Sequence, residues 1–194
     1  MNLSKQSMRG VTLIELMVTL AVLAIILTMA IPSFNEFRQR SALRGASDQV
    51  VTFWGNARFE ALKRNQPIKV GLVRSGNDFC MGAAVATSNT DTAACDCLTG
   101  TDCNVAVYPT SQAEWKRILA PASVGKNGDV FAVIDPKRAA LGATSQAGFW
   151  SLTAPSGGPA YSLNVYIDVF GRAIACEPVS AASKMPQFTQ RRCN

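Results

Sequence analysis

The sequence contains no histidine, and this absence narrows the chemistry that the protein can perform. Among 194 residues there are 19 Lys or Arg, 13 Asp or Glu and no His. Histidine is the commonest general base and metal ligand, so Ser-His and Cys-His nucleophile pairs are excluded. A glycine loop that cradles phosphate is also missing, since Gly157-Gly158 is followed by Pro159. The sequence therefore predicts a protein that is not an enzyme and has no cofactor and no small-molecule substrate.

Charge is sparse and weakly basic. Charged residues make up 16% of the chain, and the formal net charge is +6. Such a balance permits contact with nucleic acid or an anionic surface but does not require it. No internal repeat is found, and the length fits one domain with an appendage.

An apolar run extends from Val11 to Ile31, close to the roughly 20 residues that a membrane-spanning helix needs. Glu15 interrupts this run, although a carboxylate at the centre of a bilayer costs about 3 kcal/mol on insertion scales. Three interpretations compete. The run is a secretory signal cleaved near residues 28–30, a plain anchor whose Glu15 reaches the interface, or a processed anchor that the mature protein keeps.

The residues around Gly10 favour the third interpretation. The segment MRGVTLIEL at residues 8–16 resembles the processing site of type IV pilins and of their relatives in type II secretion. The resemblance implies that prepilin peptidase cuts after Gly10 and that Val11, where the family usually has Phe, becomes the N-methylated first residue. It also implies that Glu15 neutralises the terminal amine of a neighbouring subunit in a filament. Pro32 lies where the family has a helix-bending proline.

After Pro32 the run becomes amphipathic, which predicts that one helix continues from about Val11 to about Arg64. The residues Asn65-Gln66-Pro67 then form a helix terminator. Apolar residues recur at steps of three and four, as on one face of a helix: Phe34, Phe37, Leu43, Ala46, Val50, Phe53 or Trp54, Ala57, Ala61 and Leu62.

From Ile68 the apolar period changes towards two, which predicts short strands separated by turns. The clearest candidate is 161–170, where Leu163, Val165, Ile167 and Val169 alternate with polar residues. A long helix followed by many strands predicts an α+β fold, with the helix laid across an antiparallel sheet. The expected strands are residues 68–73, 79–86, 115–119, 130–134, 148–152, 161–170 and 173–176.

Six cysteines follow the apolar run, and an even number in an exported segment indicates disulfides. Cys176 and Cys193 are the favoured pair, because they would staple the tail to the last strand. We expect Cys95, Cys97 and Cys103 to pair among themselves and with Cys80, closing the loop between residues 88 and 104. The alternative is a metal site on Cys95-Asp96-Cys97, which has no His to complete it.

A second resemblance involves the end of the helix and the C-terminal part. The segment NARFEALKRN at residues 56–65 is similar to the helix-to-strand junction of the FimT/GspH subfamily, which contains minor type IV pilins and H pseudopilins. A Gly-Arg pair followed by a cysteine, here Gly171, Arg172 and Cys176, is also typical of that subfamily. The alternative for the helix end is structural, with Glu60 and Arg64 as an i,i+4 ion pair on a solvated face.

These features predict four segments: a leader peptide (1–10), a transmembrane or filament-core helix (11–32), the amphipathic half of that helix (33–66) and a β-rich GspH-like domain (67–194). The resemblance implies a single-pass protein of the bacterial inner membrane whose C-terminal domain lies in the periplasm and which later joins a pilus or pseudopilus. Its partners would be other pilins or pseudopilins, prepilin peptidase and the inner membrane.

The leading hypothesis for function is a minor type IV pilin that primes assembly or sits at the pilus tip, and the runner-up is the H pseudopilin of type II secretion. A third hypothesis adds binding of double-stranded DNA through a Gly-Arg-x-Arg motif, in which Ile174 replaces the second arginine. Lys184, Arg191 and Arg192 would compensate if the tail folded back beside Arg172, giving salt-dependent phosphate contacts. Otherwise Arg172 is a turn residue.

The disulfide hypothesis has a direct test. We expect mass spectrometry of the unreduced exported segment to show every cysteine oxidised, because export favours disulfides over metal thiolates. Free thiols or a retained metal ion would contradict this expectation.

Overall fold

The structure is a computed structural model that describes residues 11–75, 78–91, 93–100, 102–109, 122–124, 130–153, 161–179, 181, 185–188 and 192–193. Within these residues the chain forms one helix, ten short strands and a 3₁₀ turn at Thr144–Gln146. The chain divides into two compact units, Met1–Phe37 and Arg38–Asn194. The predicted strand at 115–119 lies outside the described residues.

The helix, α1, occupies Leu13–Arg64, close to the predicted bounds. Its start is capped by Thr12, whose Oγ1 accepts the backbone N–H of Glu15 at 3.3 Å. At its end Asn65 adopts a left-handed conformation with φ of 50°. The N–H groups of Asn65 and Gln66 then donate to the carbonyls of Leu62 and Ala61, each at 3.3 Å. This pair of bonds is a Schellman cap, so the predicted terminator works through its asparagine.

The second half of α1 supplies one wall of the hydrophobic core. The expectation that Phe34 and Phe37 share this wall is wrong: they are 60% and 66% exposed and belong to the first compact unit. Leu62 is 52% exposed, since it lies about 80° around the helix from Trp54. The remaining predicted positions are buried: Leu43, Ala46, Val50, Phe53, Trp54, Ala57 and Ala61.

Two five-stranded sheets follow the helix. The first has the order β3-β2-β1-β5-β6, built from β1 (Ile68–Ser75), β2 (Asp78–Val85), β3 (Ala106–Tyr108), β5 (Val130–Asp135) and β6 (Ala140–Leu141). The second has the order β10-β9-β8-β7-β4, built from β4 (Ala122–Val124), β7 (Gly148–Thr153), β8 (Ser162–Ile167), β9 (Ala173–Pro178) and β10 (Arg192–Cys193). Their strand pairs are antiparallel, except that β10 runs parallel to β9. The fold is therefore α+β, as predicted.

Adjacent residues of α1 contact different sheets. Phe53 packs against Tyr108 of β3, with ring centroids 6.4 Å apart. Trp54 meets Trp150 of β7 edge to face at 6.3 Å. The second half of α1 therefore packs against both sheets.

The predicted strand at 161–170 is shorter than expected. β8 ends at Ile167, because Asp168 begins a turn, and Val169 is 39% exposed. The expectation of a polar outer face also fails at Asn164, which is only 3% exposed. Asn164 lies opposite Cys176, which is buried and forms a disulfide with Cys193.

The loop after β2 is fastened by two disulfides, Cys80–Cys97 and Cys95–Cys103. Its start is held by Asp91, which contacts Lys69 at 3.1 Å. The backbone N–H of Thr87, together with Lys69, lowers the pKa of Asp91 to about 2, although burial opposes this shift. The loop is therefore tied to the sheet at several points.

Two glycines provide a matched test of packing. A Cβ on Gly82 would collide with the sulfurs of Cys95 and Cys103, whereas one on Gly45 would meet open space on α1. We expect Gly82→Ala to lower the free energy of unfolding by about 1–3 kcal/mol. Gly45→Ala should raise it by about 0.5–1 kcal/mol through helix propensity. Urea unfolding of oxidised residues 38–194 measures both, and equal effects would contradict this packing.

Candidate functional site

The N-terminal segment carries the predicted processing and assembly residues. Gly10 lies outside the described residues, while Val11 and Glu15 are exposed and α1 continues through Pro32. The large apolar side chains from Val11 to Leu27 are each 50–78% exposed. Among the described residues, α1 is long and apolar enough to cross a membrane. Its first half is a surface that needs a lipid or protein cover.

Arg172 lies in a tight turn between β8 and β9. Gly171 takes φ of 71°, a conformation that favours glycine, and its N–H donates to the Asp168 carbonyl at 2.8 Å. The Asp168 carboxylate accepts the backbone N–H of Arg172 at 2.8 Å and its Nε at 2.7 Å. Backbone and side chain of Arg172 are thus both bound by one aspartate.

This arrangement sets the electrostatics of the turn. Burial raises the pKa of Asp168, but the N–H and guanidinium of Arg172 outweigh it and hold that pKa below its usual value. The carboxylate is therefore ionised and offsets the charge of Arg172, whose side chain is 70% exposed. The guanidinium also lies 5.7 Å from the centre of the Phe170 ring. Arg172 therefore lies in a turn in which its backbone and its guanidinium are both bound by Asp168.

Two hydrogen bonds attach two turns to α1, namely the turn that carries Arg172 and the turn between β5 and β6. The indole N–H of Trp54 donates to the Gly171 carbonyl at 2.8 Å. Arg58 Nε donates at 2.9 Å to the carbonyl of Ala139, a residue that takes an unfavourable φ of 47°. A Cβ on Gly171 would come within 3.2 Å of the same carbonyl. The helix and both turns therefore meet at one point.

The end of α1 matches its structural interpretation. Glu60 pairs with Arg64 at 2.7 Å, as the i,i+4 spacing predicts, and also with Lys63, three residues along, at 3.1 Å. Arg58, in the same segment, does not belong to this solvated face. Its hydrogen bond to the Ala139 carbonyl could not be predicted from sequence, because the two residues are 81 positions apart.

Of the predicted basic cluster, the structure describes Arg172 and the backbone of Arg192. Lys184 and Arg191 lie outside the described residues. Arg192 belongs to β10 and is in register with Glu177, at the end of β9 farther from Arg172. Five residues of strand span roughly 17 Å, so Arg172 and Arg192 are well separated along the sheet. The Cys176–Cys193 disulfide is present as predicted, but it takes the tail to the far end of β9.

Sequence reasoning missed the buried Glu177. Its side chain accepts the backbone N–H of Met185, and its Oε2 has no hydrogen-bond partner in the described part of the chain. Alternation in β9 places Glu177 on the same face as the core residue Ala175, and that pattern is the signal that could have revealed it.

The turn geometry predicts how Arg172 behaves when mutated. We expect Arg172→Ala to lower the free energy of unfolding of residues 38–194 by about 0.5–1 kcal/mol, the range of an exposed ion pair. Retardation of duplex DNA at low salt should change by less than about twofold, because Asp168 already offsets that charge. Asp168→Asn is the control and should increase retardation. Loss of DNA binding in Arg172→Ala without loss of stability would contradict this role.

Comparison with known proteins gives one match. The family model described as the prokaryotic N-terminal methylation motif matches residues 5–31. No curated protein and no solved structure matches the chain. The matched segment includes the predicted cleavage position and Glu15, and it continues into the exposed apolar half of α1. The chain therefore carries the N-terminal methylation motif of prokaryotic type IV pilin-like precursors.

Proposed function

We propose that this chain is a minor subunit of a type IV pilus that primes assembly or lies at the tip. The observation that carries the proposal is the methylation motif at residues 5–31, which leads into a helix with an uncovered apolar first half. Apolar side chains exposed over that length are costly in water, and a membrane followed by neighbouring helices would cover them. The protein would thus act by assembly rather than by catalysis.

In this proposal prepilin peptidase cuts after Gly10. The chain then stays anchored in the inner membrane, with its C-terminal domain in the periplasm, until it is assembled. Glu15 lies in the first turn of α1, where a negative charge suits the helix dipole. Inside a filament the same carboxylate would be removed from water. The methylated amine of a neighbouring Val11 would then supply the opposite charge that makes this burial tolerable.

The contacts of α1 support a FimT/GspH-like subunit. The two separate stretches that resemble the subfamily, residues 56–65 and the Gly171-Arg172 pair, adjoin each other in space. Trp54 holds the carbonyl of Gly171, and Arg58 holds the neighbouring Ala139. Arg58 of the first stretch and Gly171 of the second therefore both contribute to docking the turns on the helix, while Glu60 and Arg64 form an ion pair at the helix end. Binding of DNA is not needed to explain either stretch.

Type II secretion is the competing assignment, because its pseudopilins share the same motif. Deletion followed by complementation distinguishes the two machines. We expect loss of this chain to reduce surface pili and twitching motility by at least about tenfold while exoprotein release continues. Blocked secretion with intact pili would instead favour the pseudopilin, and no change in either would contradict both.

Glu15→Ala is the informative variant in that complementation, since it should be processed and inserted but fail to restore pili. Asp48→Ala is the matched control. Asp48 is an acid of the same helix, its side chain is 65% exposed, and it faces Arg44 at 4.0 Å. Restoration of pili by Glu15→Ala would rule out the proposed charge neutralisation.

A further inference from the structure

Charge is distributed unevenly along this chain. Residues 75–115 contain five acidic residues and no Lys or Arg, whereas the other 153 positions hold all 19 basic residues and eight acids. Two of the five acids, Asp96 and Asp102, lie between the cysteines that fasten the loop to β2. We refer to these two carboxylates as the acidic loop.

The acidic loop is held in shape by covalent and hydrogen bonds. Asp96 lies between Cys95 and Cys97, which bond to Cys103 and Cys80. Its carboxylate accepts the Thr99 hydroxyl and the backbone N–H of Thr99, and these bonds lower its pKa. Asp102 is exposed, and none of the ion pairs found among the described residues includes either aspartate. The loop therefore presents fixed negative charge with little entropy left to lose on binding.

A basic surface forms where both turns meet α1. Four cations gather there, Arg58, Lys137, Arg138 and Arg172, and we name this surface the basic corner. Arg138 pairs with Asp135 at 3.0 Å and Arg172 with Asp168 at 2.7 Å. Arg58 binds a carbonyl rather than a carboxylate, and Lys137 is exposed. With four cations and two acids, the basic corner keeps an excess of positive charge.

The two surfaces lie on different sides of the first sheet. Met81 and Ala83 of β2 face the core, so alternation turns Cys80 and Gly82, with the acidic loop, to the other face. The basic corner follows β5, beyond β1 in the strand order, and contacts α1 on the core side. Complementary surfaces on opposite sides of one molecule allow a head-to-tail contact between two copies.

We propose that the basic corner of one copy docks against the acidic loop of a second copy of this chain. Charge complementarity carries this choice of partner. The basic corner has four cations and two paired acids, so its excess of two positive charges equals the two carboxylates of the acidic loop. Single exposed ion pairs are weak, so the contact orients neighbouring copies rather than holding them alone. The contact goes beyond the proposed function, because it does not depend on which machine the filament serves.

A zero-length crosslinking experiment on the full chain in detergent micelles tests this contact. Equal amounts of ¹⁴N- and ¹⁵N-labelled copies are treated with a carbodiimide, which joins carboxylates to lysine amines, and crosslinked peptides are identified by mass spectrometry. We expect mixed-label peptides that join Lys137 to Asp96 or Asp102. Their yield should fall by about fivefold or more between low and high salt, because salt screens exposed charges.

Exchanging the charges makes the test specific. Lys137→Glu copies mixed with Asp102→Lys copies should again give a mixed-label link between positions 137 and 102, and neither variant should give it alone. Lys63→Gln is the control, since Lys63 is exposed but already paired with Glu60, and it should leave the yield within about twofold.

Three results would overturn the proposal. The first is that only same-label links form while the Lys63–Glu60 link appears normally. The second is that Lys137 links between copies to acids other than Asp96 and Asp102. The third is that duplex DNA binding requires Lys137 although no mixed-label link exists, which would assign the basic corner to nucleic acid.

Discussion

Burial of one face of α1 between two sheets is the constraint on which the rest of this structure depends. Trp54 is the clearest case, because its ring packs against Trp150 and its N–H must also find an acceptor when water is excluded. The acceptor is the carbonyl of Gly171, and this bond fixes the turn that carries Arg172. Trp54 therefore packs against the second sheet and also fixes the position of the turn that carries Arg172.

Charged residues in the second unit mostly serve this architecture. Asp168 closes a turn, Glu60 joins two basic residues at the helix end, and Asp91 secures a loop. Each interaction offsets a positive charge that a sequence-based search would count towards nucleic-acid binding. The large apolar side chains from Val11 to Leu27 are exposed, and they lie within the segment that matches the N-terminal methylation motif.

Much of the fold could be predicted because its signals are local. The bounds of α1, the strands near Ile68, Val130 and Gly148, and the Cys176–Cys193 bond follow from period, capping and cysteine spacing. The errors occur where a neighbour distant in sequence decides. Phe37 fits the helical stripe but is 66% exposed, and Asn164 has a polar outer position yet is buried opposite Cys176.

The sequence by itself determined the methylation motif, the long helix and the class of fold, since each depends on residues within a few positions of one another. Only the tertiary structure decided what Arg58 and Arg172 do. Arg58 binds the Ala139 carbonyl because the turn before β6 packs on α1. Arg172 binds Asp168 because the backbone of their turn brings the two side chains together. Composition indicates neither contact. The separation of Arg172 from Arg192 has the same origin, because strand direction, not spacing, places the tail.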